Sequence, residues 1–145
     1  MDETTIRDLL ASFRAGSVDA DHVVDRLKSL PYENLGFARL DHHRQLRRGF
    51  PEVVFCERKT AEQVVEIIKR MVERNSMVLA TRASAELYTT VHAEVPAAKY
   101  HAEARIIAVG SPSAVRPKPV AVVTGGTSDI GVAEEAAVTL ELMGN

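Results

Sequence analysis

The sequence predicts an α/β protein: an N-terminal helical pair, a small βαβαβ domain, and then the first βα unit of a further parallel-sheet domain. Three observations carry this. β-type runs at Val53–Phe55, Met77–Thr81 and Ile106–Val109 alternate with capped helical segments, the order that builds parallel strands with right-handed crossovers. Three prolines fall within the nine residues 111–119, an extended linker that puts a domain boundary at 115/116. Beyond it, the apolar run Val120–Val123 meets Gly125-Gly126-Thr127-Ser128-Asp129 and an amphipathic helix over roughly 132–143. That is a strand, a phosphate-sized turn and a helix N-terminus in succession.

Each element has a local reason. Ile6, Leu9, Leu10 and Phe13 recur at helical spacing, and Gly16 is a helix stop. Ser17 is placed to cap a second helix with Val23, Val24, Leu27 and Leu30 on one face, ended by Pro31. Gly36–Leu40 and Val53–Phe55 read as two strands joined by the cationic loop 41–49. Thr60-Ala61-Glu62-Gln63 has capping-box spacing, and Val64, Ile67, Ile68, Met71 and Val72 give the helix its apolar stripe. Ser84 caps a helix to about Ala93, closed by Pro96, and Gly110 stops the strand Ile106–Val109.

Composition narrows the function classes. The chain has 145 residues, 46% of them hydrophobic, enough for a sizeable core. A net charge of −2 gives no basic excess for nucleic acid. No apolar run is long enough to span a membrane, and the acidic start Met1–Thr5 does not resemble a secretory signal. Cys56 is the one cysteine, so neither an internal disulfide nor a zinc-type Cys pair forms. A cytoplasmic protein is expected.

Four groups of residues carry candidate chemistry. The Gly125–Asp129 turn can bring main-chain N–H groups and the hydroxyls of Thr127 and Ser128 to an anion; equally, the glycines can simply turn the chain while Asp129 caps a helix. His42, His43, Arg44, Arg47 and Arg48 gather cations in a chain that is otherwise acidic, as an anion site or as a solvated loop. Lys59 sits where a helix dipole disfavours a cation, which fits an anion nearby. Arg82 follows a strand at the end where parallel sheets place ligands, or merely starts a helix. Adjacent His42 and His43 would point to opposite faces of a strand, so no metal site is expected. His22, His92 and His101 are isolated, and Cys56 reads as a small core thiol.

Two blocks together resemble a known family. Asp41-His42-His43-Arg44 to Gly49-Phe50-Pro51-Glu52-Val53-Val54, then Lys59-Thr60 with Gln63, is similar to the N-terminal domain of the LarB family, the pyridinium-bis-carboxylic acid mononucleotide synthases of nickel-pincer cofactor biosynthesis. Leu79-Ala80-Thr81-Arg82-Ala83-Ser84 fits the family's next strand. Gly125–Asp129 with Val132-Ala133-Glu134-Glu135-Ala136 resembles the start of its second domain, which is like the aminoimidazole ribonucleotide carboxylase/mutase PurE, a flavodoxin/Rossmann-like parallel-sheet fold. Gly125, Ser128 and Asp129 match PurE's Gly-Ser-x-Ser-Asp, with Gly126 at its first serine. Where the family has glycines before the Lys-Thr pair, this chain has Cys56 and Arg58.

The resemblance implies carboxylation of the pyridinium ring of nicotinic acid adenine dinucleotide by CO2, with hydrolysis of the phosphoanhydride to release AMP. A cysteine that adds to the ring performs the activation in this family. Its place is late in the PurE-like domain, beyond Asn145, so residues 116–145 are expected to be an incomplete piece of that domain and the chain alone inactive. Such a piece would be poorly packed, pair with the preceding sheet, or be completed by another chain. Gly125, Gly126, Thr127, Ser128 and Asp129 are implied substrate contacts, with Asp129 also a candidate for proton handling; Arg44, Arg48, Lys59, Thr60 and Arg82 are candidate contacts to the adenylate or phosphates. No covalently bound cofactor is implied, only Mg2+ accompanying the phosphates, and homo-oligomers form through the PurE-like domain. The rival readings are a PurE-type purine-biosynthetic mutase, which would begin near the turn, and a non-catalytic nucleotide-binding or assembly module.

Overall fold

The computed structural model describes residues 3–28, 33–41, 44, 52–74, 77–111 and 119–145. It divides into two units, Met1–Glu52 and Val53–Asn145.

The first unit holds α1 (Glu3–Arg14), α2 (Ala20–Lys28) and a two-stranded antiparallel ladder of β1 (Glu33–Asn34) and β2 (Arg39–Leu40). α1 ends as predicted. Gly16 takes φ 74°, its N–H donates to Phe13 O, and Ser17 N–H donates to Ser12 O, which closes the last turn on itself. Ser17 does not cap α2. That cap is Asp19, whose carboxylate accepts from His22 N–H at 2.7 Å. Gly36 and Phe37 lie in the turn between β1 and β2, so the extended run is shorter than predicted, and β2 pairs with β1 instead of joining β3. Leu10, Phe13, Val24 and Leu27 are exposed, and among this unit's described residues Val23 and Leu40 are the buried apolar ones.

The second unit is built on a four-stranded sheet in the order β3-β4-β6-β5, from β3 (Val53–Phe55), β4 (Val78–Thr81), β5 (Lys99–His101) and β6 (Ile106–Val109). Between strands run α3 (Ala61–Glu73) and α4 (Ala85–Glu94). β3 and β4 are parallel, whereas β6 is antiparallel to both β4 and β5. Two reversals make β5 parallel to β4. The βαβαβ unit is therefore real, but its third strand is β5, and Ile106–Val109 is a hairpin return slotted between β4 and β5 rather than a third parallel strand.

Both predicted caps form. Thr60 Oγ1 accepts from Gln63 N–H while the Gln63 side chain accepts from Thr60 N–H, and Ser84 Oγ accepts from Leu87 N–H. α3 buries Val64, Ile67, Ile68 and Met71, and packs against β3, β4 and α4. The other sheet face, carrying Leu79, Ile106 and Ala108, receives Val138 and Leu142 of α5 (Ile130–Leu142). With side chains alternating across each strand, Val78, Ala80, Ile107 and Val109 point away from α5, and all four are buried. Helix thus covers both faces of the sheet, which is why its central strands carry the unbroken apolar runs Val78–Ala80 and Ile106–Val109.

The segment after Pro119 corrects one expectation. Val120–Val123 belongs to no sheet and is exposed, Val123 to 89%. A β-type run becomes a strand only where a neighbour supplies hydrogen bonds, and none of the described residues does so here. The helix that follows does pack, on the second unit's own sheet, and Gly144 (φ 86°) caps it as Gly16 caps α1. The proline stretch 112–118, where the boundary was expected, lies outside the described residues.

Among the described residues, three other than glycine take positive φ, and all are arginines: Arg58 (69°), Arg82 (58°) and Arg105 (53°). Arg58 is one of the positions where the resemblance implies glycine, and its φ of 69° is one that glycine takes without a Cβ clash. Arg58→Gly is expected to stabilise the second unit by about 0.5–1 kcal/mol, the left-handed penalty less glycine's chain entropy. A thermal melt reads this as a rise of a few degrees, and a fall in Tm would contradict it.

Candidate functional site

The turn predicted to hold an anion is a 3₁₀ turn, Thr127–Asp129, leading directly into α5. Its glycines are not conformationally forced. Neither Gly125 nor Gly126 has positive φ, and a Cβ on Gly125 would meet nothing within 4 Å. Asp129 makes no side-chain cap bond to α5, so the simple helix-cap reading of that residue is not what the structure contains. Gly125 and Asp129 line a hollow of about 390 Å³ with Val122, Val123, Val132 and Ala136.

A second hollow, of about 150 Å³, shares Val132 as a wall. It brings Ser128 together with Arg82, along with Glu103, Arg105, Gly131 and Glu135. Arg82 directly follows β4, at the carboxyl end of that strand, as predicted. Its neighbour Ala83 is tied on both sides: Ala83 N–H donates to Arg105 O at 2.8 Å, and Tyr100 Oη donates to Ala83 O at 3.1 Å. Tyr100 is in turn stacked on Tyr88, with ring centroids 5.1 Å apart. Arg82 Nη2 lies 3.3 Å from Glu135 Oε2 on α5.

The remaining predicted contacts go elsewhere. Lys59 Nζ donates to Phe55 O at 2.7 Å, so a strand-end carbonyl satisfies this cation. The Thr60 hydroxyl is engaged by the α3 cap, and with the main chain it holds the Glu62 carboxyl below its usual value. Neither residue lines the two hollows. Arg44, in the first unit, pairs with Glu52 at 3.5 Å. Arg48, with His42, His43 and Arg47, lies outside the described residues. Among the described residues, no three His, Cys, Asp or Glu side chains gather as a metal site.

Cys56 is 3% exposed at the end of β3, with Sγ 3.9 Å from Val54 O. Burial pushes its thiol up to about 11, against a smaller pull downward from Lys59. A thiol held protonated is no nucleophile at neutral pH. Cys56 is expected to resist a disulfide reagent at pH 8 until the chain unfolds, and prompt reaction in the native state would contradict this. The folded value is raised, so the proton is bound more tightly in the native state. Stability is therefore intact below the unfolded thiol's pKa of about 8.5 and falls as pH rises from there through about 11.

Sequence reasoning found the turn and Arg82 but missed Arg105 and Glu135 as members of the same hollow. Arg105 reaches it because β6 runs antiparallel beside β4, and Glu135 because α5 lies on the sheet.

A profile of the family described as "LarB/PurE-like N-terminal domain" matches residues 32–111. The chain is also 34% identical, over 148 aligned positions, to the uncharacterized protein MJ0165 of Methanocaldococcus jannaschii, an alignment that covers 96% of this chain and 57% of that protein. This chain thus spans a little over half the length of that relative. The matched range takes in the Asp41–Thr60 block, the β4–Arg82 turn and the whole four-stranded sheet. The chain belongs to the LarB/PurE-like N-terminal domain family.

Proposed function

We propose that this chain is part of a carboxylase/hydrolase that carboxylates the pyridinium ring of nicotinic acid adenine dinucleotide with CO2 and releases AMP, in nickel-pincer cofactor biosynthesis. The observation that carries this is the family match over 32–111, which includes the block and the strand-turn on which the resemblance rested. Membership suggests a carboxylase-related role; the substrate and the pathway are the further step. Residues 116–145 are read as the opening of a PurE-like domain, and the family match ends just before them, at residue 111.

In this reading the exposed hydroxyls of Thr127 and Ser128 and the N–H groups at the start of α5 receive the ribose-phosphate end of the dinucleotide. Arg82 supplies a charge-assisted hydrogen bond to a phosphate, and Asp129 takes or returns a proton beside the reacting ring. The ring-activating cysteine is not Cys56, whose thiol is buried and protonated. Any Mg2+ would arrive on the dinucleotide's phosphates, as this ion commonly does. The protein is read as cytoplasmic, acting without nucleic acid or membrane, and as a homo-oligomer through the PurE-like domain; no described helix is long and apolar enough to cross a membrane.

The test is product formation from nicotinic acid adenine dinucleotide and bicarbonate. A protein that also contains the length present in the relative outside the match is expected to release AMP in step with ring carboxylation, and this chain alone to release none. AMP release without carboxylation, or turnover of aminoimidazole ribonucleotide instead, would overturn the assignment.

A further inference from the structure

We propose that the smaller hollow is a binding site for a phosphate or diphosphate anion, and that Glu135 of α5 occupies it as an internal competitor. This concerns the regulation of the site proposed above and rests on that reading only for the identity of the natural ligand.

Two arginines define the site. Arg82 leaves the end of β4 and Arg105 enters β6, and the hydrogen bond from Ala83 N–H to Arg105 O fastens the two turns side by side. Both residues adopt left-handed backbone, a conformation that side chains other than glycine, Asn and Asp rarely take. Both line the same hollow as Ser128, whose hydroxyl has no hydrogen-bond partner among the described residues. Two arginines and a serine in one lining are the residue types that suit a tetrahedral oxyanion.

An anion already sits there. Glu135 brings its carboxylate to 3.3 Å from Arg82 and is only 24% exposed, while Arg82 stays 45% exposed. The separation is longer than the 2.7–2.9 Å typical of a strong charge-assisted bond. Glu135 and Gly131 belong to α5, and Ser128 to the 3₁₀ turn that leads into it, so one continuous segment forms this side of the hollow. Two arginines and two glutamates leave the hollow without net charge. A multiply charged anion therefore gains most by displacing one carboxylate, and Glu135 is the one paired.

The test is a titration of this chain with inorganic pyrophosphate, followed by backbone amide shifts at Ala83, Ser128 and Gly131. Glu135→Gln is expected to tighten binding about tenfold, the factor equivalent to 1.4 kcal/mol. Glu134→Gln removes the same charge from the same helix outside the hollow, and should change affinity less than about twofold, as for a screened surface charge. Arg105→Gln in the Glu135→Gln background should abolish the gain. If Glu135→Gln loosens α5, seen as lost protection at Val138, then Glu135→Asp gives the second reading: it keeps the charge, shortens the reach and should yield an intermediate gain. Equal affinity for wild type and Glu135→Gln, equal effects of Glu134→Gln and Glu135→Gln, or indifference to Arg105 would each overturn the proposal. Failure of the dinucleotide assay with this pyrophosphate pattern intact would remove the proposed substrate and leave the site standing.

Discussion

Ile68→Ala is expected to destabilise the second unit by about 2–5 kcal/mol, the range for deleting a fully buried aliphatic side chain that leaves a cavity. Ile68 has no exposed surface and lies on the apolar stripe of α3 with Val64, Ile67 and Met71. The stripe packs on β3 and β4, where Val54, Val78 and Ala80 are buried, so neighbours have little freedom to collapse into the gap. Whole domains are stable by only about 5–15 kcal/mol, which makes this loss a large share of the total. Chemical denaturation should show a lower midpoint with an unchanged slope. A shift below about 1 kcal/mol would mean that α3 is not seated as described.

Asp129→Ala should behave in the opposite way. Asp129 is exposed and makes no cap bond, so its loss should change stability by no more than about 0.5 kcal/mol. Under the proposed function, the same change in a protein that also carries the remaining length of the relative is expected to lower carboxylation about 10²–10⁴-fold, the usual contribution of a group that moves a proton in the transition state. Asp129→Asn, which keeps shape and hydrogen bonding but not basicity, separates the two roles left open for this residue. A loss as deep as with alanine assigns proton transfer; near-normal turnover assigns ribose binding. If Asp129→Ala were instead fully active, the turn would have no part in the chemistry.

Local signals were legible where a side chain acts on its own backbone. The capping box of Thr60 and Gln63, the Ser84 cap and the Gly16 stop all follow from neighbours within a few residues, and all form. The β-type runs that became β3, β4 and β6 were equally plain. What the chain did not announce depends on partners far along it. β5 is Lys-Tyr-His, a half-polar edge strand with no apolar alternation to read, and its hairpin to β6 turns through Arg105 where glycine would have signalled a turn. Without that hairpin, Ile106–Val109 looked like one more parallel strand. Val120–Val123 misled for the converse reason: its composition is right for a strand, but the described fold offers it no ladder.

The candidate site divides along the same line. Arg82 and the Gly125–Asp129 turn stood out because strand ends and helix starts are visible in sequence. Lys59 was read as answering an anion, and the carbonyl it meets, Phe55 O, is a neighbour that only the fold reveals. Arg105 and Glu135 carry no signal by themselves. They join Arg82 through the antiparallel register of β6 and the seating of α5.

The most direct test of the central claim is calorimetric titration of nicotinic acid adenine dinucleotide into this chain and into its Arg82→Gln and Ser128→Ala variants. Saturable binding by the native chain, weakened about tenfold or more by Arg82→Gln and less by Ser128→Ala, is the predicted result, in line with the greater worth of a charged hydrogen bond. No saturable heat, or equal binding by all three proteins, would contradict the assignment of this family member to dinucleotide chemistry at these hollows.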